Sequence, residues 1–151
     1  MKVKILFSVL FSIVLVVGPL GCDDNEKMAT LEGSWQGTKA EGKVLLFGVP
    51  TGFEEEDDSF DPTLEFKQGG IVTLTQDGTP SQGTWSQEGE TLTTSLNFDT
   101  NFVEISGTYT IQTLTETALV LYYESEGTFE DPDTGIDIEG TLKATLYFSK
   151  N

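Results

Sequence analysis

The sequence predicts an all-β fold: eight antiparallel strands, linked in order and closed into an up-and-down barrel. Three observations carry this. Apolar residues recur at every second position in successive short runs after residue 31, the period of strands with one wet face. Turn signals rich in Gly, Asp and Pro separate those runs. No stretch after residue 22 sustains a 3.6-residue period, apart from at most one helical turn in an acidic segment. Closure removes the unpaired edges of an open sheet. An eight-stranded interior is just wide enough to be filled by side chains or to hold one small ligand. A two-sheet sandwich needs the same alternation and is the runner-up.

The first strand is expected over residues 33–47, with Trp35, Val44, Leu46 and Phe47 as its apolar members. Their parity changes between Trp35 and Val44, so a bulge or bend near Gly37 or Gly42 must reset the phase. Gly48 to Pro62 reads as one long loop, because Glu54-Glu55-Glu56-Asp57-Asp58 is a self-repelling run expected to stay solvated. Phe53 and Phe60 flank it and could dock the loop on the barrel mouth or its rim. Strands follow at 63–67 and 71–76, joined through Gln68-Gly69-Gly70. After the turn signal Asp77-Gly78-Thr79-Pro80 comes a short strand at 83–87. The strictest alternations are Leu92, Thr94, Leu96, Phe98 in a strand at 91–98 and Val103, Ile105, Gly107, Tyr109, Ile111 in one at 102–112. Ala118 to Tyr123, within a strand at 117–126, is continuously apolar, so its outer face should be partly covered. The last strand, 136–149, keeps Ile136, Ile138, Leu142, Ala144, Leu146 and Phe148 on one parity, with Gly140 in the same series.

Upstream of the barrel, Lys2 and Lys4 lead an apolar run from Ile5 to Val17, and Gly18-Pro19-Leu20-Gly21 precedes Cys22. A basic start, a short apolar core and small residues before a cut describe a signal peptide. The run is shorter than the ~20 residues a membrane-spanning helix needs. Cys22 is the one cysteine, so no internal disulfide can form. The chain thus divides into a signal peptide at 1–21, an acidic tether at 22–30 and a barrel domain at 31–151. The segment resembles a bacterial lipoprotein signal, although Pro19 stands where that signal has an aliphatic residue. The resemblance implies acyl chains on Cys22, and more than one such chain gives stable membrane attachment. The acids that follow, Asp23, Asp24 and Glu26, resemble the surface-export signal of Bacteroidota lipoproteins. They imply a lipid-anchored outer-membrane protein on the cell surface or the periplasmic face.

All 25 acids follow Cys22, against the 8 lysines less Lys2 and Lys4, which leaves a charge near −19 with no arginine or histidine. Nucleic acid is excluded as a partner, because binding it needs a cationic patch. Anionic membrane surfaces repel the body, so the acyl chains must do the anchoring. Without histidine or a free thiol there is no nucleophilic triad and no zinc site. No enzyme activity and no cofactor are expected. Asp131, Asp133 and Asp137, with Gly135 between them, echo a calcium loop. They lack its full pattern, and a turn between the last two strands is the favoured reading. Trp35, Trp85, Tyr109, Tyr122 and Phe148 are the candidates to line a pocket for a small apolar ligand. A filled core is the competing use of the same side chains. A protein partner, bound through the acidic surface, is the alternative to a small ligand.

Leu31-Glu32-Gly33-Ser34-Trp35 resembles the Gly-x-Trp opening of lipocalin-like proteins. Leu64-Glu65-Phe66 through Val72-Thr73-Leu74, then Gly83-Thr84-Trp85, Leu92-Thr93, Tyr109-Thr110-Ile111, Leu114-Thr115 and Leu119-Val120-Leu121 resemble the hairpin series of lipocalin-like domains in Bacteroidota lipoproteins. The resemblance spans roughly residues 31–149. It implies that Trp35 packs across one closed end of the barrel. Larger lipocalins often pair this tryptophan with an arginine near the last strand, and this chain has no arginine.

Overall fold

The computed structural model describes residues 29–46, 54–130 and 135–151. Nine strands are present among them: β1 (Gly33–Leu46), β2 (Glu54–Asp57), β3 (Thr63–Lys67), β4 (Ile71–Gln76), β5 (Thr79–Glu88), β6 (Thr91–Asp99), β7 (Glu104–Leu114), β8 (Ala118–Glu130) and β9 (Asp137–Lys150). All neighbours are antiparallel, and β3 to β9 follow in chain order. Pairing of β1 with both β3 and β9 closes an eight-stranded barrel. The sandwich alternative is thereby set aside. The eight expected strands are all present, with ends that differ by a few residues.

β1 changes phase at a bulge. Its register against β9 shifts between Gly37 and Lys39, which leaves Thr38 as the extra residue. Trp35 and Gly37 are buried before the bulge, and Ala40 and Val44 after it. One strand therefore keeps apolar residues inside along its whole length despite the change of parity.

β2 is the ninth strand and corrects the loop reading at Glu54–Asp57; residues 47–53 lie outside the described residues. Gly33–Gln36 of β1 pair with β3, whereas Ala40–Lys43 pair with β2. The two short strands thus lie end to end along one edge of β1. Glu54, Glu55 and Glu56 stay exposed, as expected of the acids, but they do so within a strand, and the two-residue period buries Asp57. Glu54 and Glu56 turn outward, where Lys43 bonds Glu54 and Lys39 lies 3.3 Å from Glu56. Asp57 turns inward and is 4% exposed.

β5 begins earlier than expected. Asp77 (φ 51°) and Gly78 (φ 75°) both take left-handed backbone, the geometry of a two-residue hairpin turn. Thr79 and Pro80 therefore already belong to β5, opposite Gln76 and Thr75. They escape a burial-based reading because both are exposed. At the other end of the chain Ile136 does not join the buried series. It precedes β9 and is 61% exposed, outside the β8–β9 ladder that ends at Glu130 and Asp137.

The core runs along the barrel axis. Trp35, Leu64, Phe66, Val72, Leu92, Phe98, Ile105, Tyr109, Leu119, Leu121, Leu146 and Phe148 are all buried in one cluster. Phe98 meets Tyr109 edge to face at 5.7 Å between centroids, and Phe60 meets Phe148 in the same way at 5.7 Å, a favoured aromatic geometry.

Candidate functional site

The two ends of the barrel differ. At one end Trp35 is fully buried, and its Nε1–H donates to the Leu31 carbonyl at 2.7 Å. Lys150, near the end of β9, places its ammonium 4.2 Å from the Trp35 ring centroid and donates to the Glu32 carbonyl at 2.7 Å. In a chain without arginine, this lysine supplies the cation beside the tryptophan. A cation over an indole face is attracted by the ring's quadrupole. This end is shut by the segment Leu31–Glu32 laid across it.

The opposite end is the mouth. There the wall parts, because the β7–β8 ladder runs only from Thr110–Leu114 against Leu119–Tyr122. Glu104–Tyr109 and Tyr123–Glu130 share no ladder pairs. Beside this opening lies a cleft of about 530 Å³, the scale of a small-molecule pocket. Val44, Phe102, Val103, Phe129 and Leu142 form its apolar walls, and Lys43, Glu55, Asn101 and Thr128 contribute polar groups. Phe102 reaches from the β6–β7 turn to the β1 wall. A Cβ placed on Gly42 would stand 2.4 Å from its ring, so only a glycine lets the ring lie there. We expect Gly42→Val to displace Phe102 and reshape the cleft while the buried core persists. Altered side-chain resonances confined to residues 101–103, with a retained cooperative melt, would show this. Loss of dispersion across the whole spectrum would contradict it.

Two buried groups brace the mouth. Asp57 Oδ1 accepts from Ser59 Oγ at 2.6 Å and from Ser59 N at 3.0 Å, and Oδ2 accepts from Asn101 N at 3.0 Å. Burial alone would raise this carboxyl. The bonds from Ser59 Oγ and from the backbone N–H groups of Asn101, Ser59 and Phe60 outweigh it and hold Asp57 below the usual carboxylate range. The side chain thereby ties the β2–β3 connection to the β6–β7 turn across the barrel. Phe60 lies in that connection and packs on Phe98 and Phe148. It is buried in the core cluster, deeper than either the mouth or the rim. Phe53 lies outside the described residues.

The five aromatics proposed for a pocket do not come together around the cleft. Trp35, Tyr109 and Phe148 are core residues, and Tyr109 donates its hydroxyl to the Ile105 carbonyl at 3.1 Å. Burial pushes that phenol well above its ordinary value. Trp85 is half-buried on the rim of the core, 5.3 Å from the Phe66 ring, with its Nε1–H on the Lys67 carbonyl at 3.1 Å. Tyr122 falls on the outer face. Its hydroxyl bonds Glu124, and burial together with that bond pushes its pKa up to about 12. Tyr123 takes the inward position instead, 5.7 Å from Tyr109. The residues that sequence reasoning missed are Val44, Phe102, Val103, Phe129 and Leu142 as a set. Their signal was faint: single apolar residues spread over a turn and several strands. Asp131 and Asp133 lie outside the described residues, as does Cys22. Asp137 opens β9 and is exposed. Among the described residues no group of three or more His, Cys, Asp or Glu is placed to hold a metal ion.

A comparison with curated proteins finds no match. The model of the lipocalin-like domain family matches residues 31–121, from the segment closing the Trp35 end through β1 and into β8. With the barrel closed, the Trp35 end shut and the mouth open, the chain belongs to the lipocalin-like domain family.

Proposed function

We propose that the protein is a non-enzymatic binding module, held to the outer membrane of a Bacteroidota cell envelope by acyl chains on Cys22, that takes a small, largely apolar ligand at the barrel mouth. The observation that supports this most is the cleft beside the parted β7–β8 wall, with its five apolar residues and few polar ones. The family supports it too, since a lipocalin-like barrel suits small-ligand binding. The ligand sits above the core rather than inside it, because Trp35, Tyr109 and Phe148 already fill the centre.

Native mass spectrometry of protein purified gently from its own host tests the reading. The expected result is a bound small molecule that is lost on denaturation. Phe102→Ala with Phe129→Ala should weaken its retention by about ten- to a hundredfold, the effect of losing one to two buried ring contacts. An empty protein whose melting temperature no apolar compound shifts would end this reading. The anchor is tested separately. Cys22→Ser should move the protein from the detergent phase to the aqueous phase on Triton partition and abolish labelling by radioactive palmitate. Unchanged partition would remove lipidation.

A further inference from the structure

Resting on the binding reading above, we infer that the mouth cleft selects an amphipathic cation: an apolar body lies against Phe102, Val103, Phe129 and Leu142, and a single ammonium-type group sits on Glu55. The argument begins with β2. Glu55 pairs with Gly42, and directly opposed residues on neighbouring strands point to the same face. Gly42 is the residue on which Phe102 rests. The Glu55 carboxylate therefore stands at the edge of the apolar wall, on the cleft side of the strand.

The other three acids of β2 are engaged. Glu54 is bonded by Lys43, Glu56 faces Lys39, and Asp57 holds three N–H or O–H donors. Among the described residues Glu55 has no ion-pair partner and no hydrogen bond. Each described lysine already has another partner, although Lys43 and Lys143 line a neighbouring cleft with Glu55. Lys39 binds Glu41 at 2.8 Å, Lys67 binds Glu65 at 3.0 Å, Lys143 lies 3.5 Å from Glu124, and Lys150 caps Trp35. Lys43 lines the cleft too, but β1 turns it outward to Glu54. A net charge of −17 then sets the sign of the field at the mouth. An anionic amphiphile is repelled from such a surface and a cationic one is drawn to it. The faces of Phe102 and Phe129 also favour a cation, through their ring quadrupoles.

The probes are three ten-carbon chains that differ only in the head group: decylammonium, decanol and decanoate, titrated below their aggregation concentrations into the wild type and Glu55→Gln. Binding is read by calorimetry, and circular dichroism melts check that the variant folds. We expect decylammonium to bind about tenfold more tightly than decanol, and decanoate to bind most weakly. In Glu55→Gln the decylammonium advantage should fall to about twofold, with decanol unchanged. Equal binding of decylammonium and decanol by the wild type would overturn the charge selection and leave the apolar cleft standing. A decylammonium advantage that survives intact in Glu55→Gln would overturn the role of Glu55. Failure of all three chains to bind would overturn the cleft itself.

Discussion

Replacing Trp35 by alanine is expected to cost about 3–5 kcal/mol of stability, the range for removing a fully buried large aromatic side chain. Three interactions go together. The indole is 0% exposed, its Nε1–H satisfies the Leu31 carbonyl at 2.7 Å, and the Lys150 ammonium loses the ring beneath it. Domains of this size are stable by roughly 5–15 kcal/mol in total, so the variant should melt far earlier in urea, at a lower midpoint. Trp85→Ala supplies the contrast. That ring is half-buried at the rim and bonded to Lys67 O at 3.1 Å, so its loss should cost about 1–2 kcal/mol. Equal midpoints for the two variants would show that Trp35 does not close its end of the barrel as described.

Asp57→Ala should have the second-largest effect, about 2–3 kcal/mol, because hydrogen bonds to a charged group are among the stronger ones and their donors are left without an acceptor. The effect depends on pH, with a definite sign. The folded-state pKa of Asp57 lies below its ordinary value. Its contribution is therefore complete above the unfolded value of about 3.9 and is lost as pH falls through the lower folded value. The other carboxylates of a chain at −17 repel one another, and protonating them relieves that repulsion. The useful measurement is the difference between wild type and Asp57→Ala as pH is lowered from 7 to about 2. The gap should be constant near neutrality and shrink in acid. A gap that stays constant down to pH 2 would mean that Asp57 braces the mouth without its charge. Deleting Glu54 to Asp58 to test a surface role would also remove this brace, so Glu54→Gln with Glu56→Gln is the cleaner probe of charge.

The barrel was legible because its wall obeys a two-residue rhythm that needs no long-range information. Leu92 to Phe98 and Val103 to Ile111 show it without interruption, and both series are buried at alternate positions, apart from half-buried Val103 and Gly107. Even the change of phase in β1 was visible, as the mismatch between Trp35 and Val44 that the bulge after Gly37 resolves. β2 was not legible, because five acids in a row have no apolar member to mark a face. Which of them turn inward depends on Lys39 and Lys43 across the strand pair and on Asn101 from a distant turn. Tyr122 and Tyr123 show the same limit. An unbroken apolar run carries no phase, and only the burial of Leu119 and Leu121 fixes Tyr123 as the inward tyrosine. The cleft escaped for a geometric reason. Its walls come from a turn and from β1, β8 and β9, which become neighbours only once the barrel is closed.

That closure has a consequence for how the chain is made. β1 finds its full-length partner in β9, with Trp35 opposite Lys150 and Leu46 opposite Gly140. A polypeptide emerging from a ribosome exposes β1 long before β9 arrives. Until then one flank of the first strand stays unmatched, and such distant pairing is slow to form. The growing chain therefore stays open during synthesis, and the barrel closes only once its final strand is available. Pulse-labelled chains truncated before residue 137 should be digested by protease, and full-length ones protected.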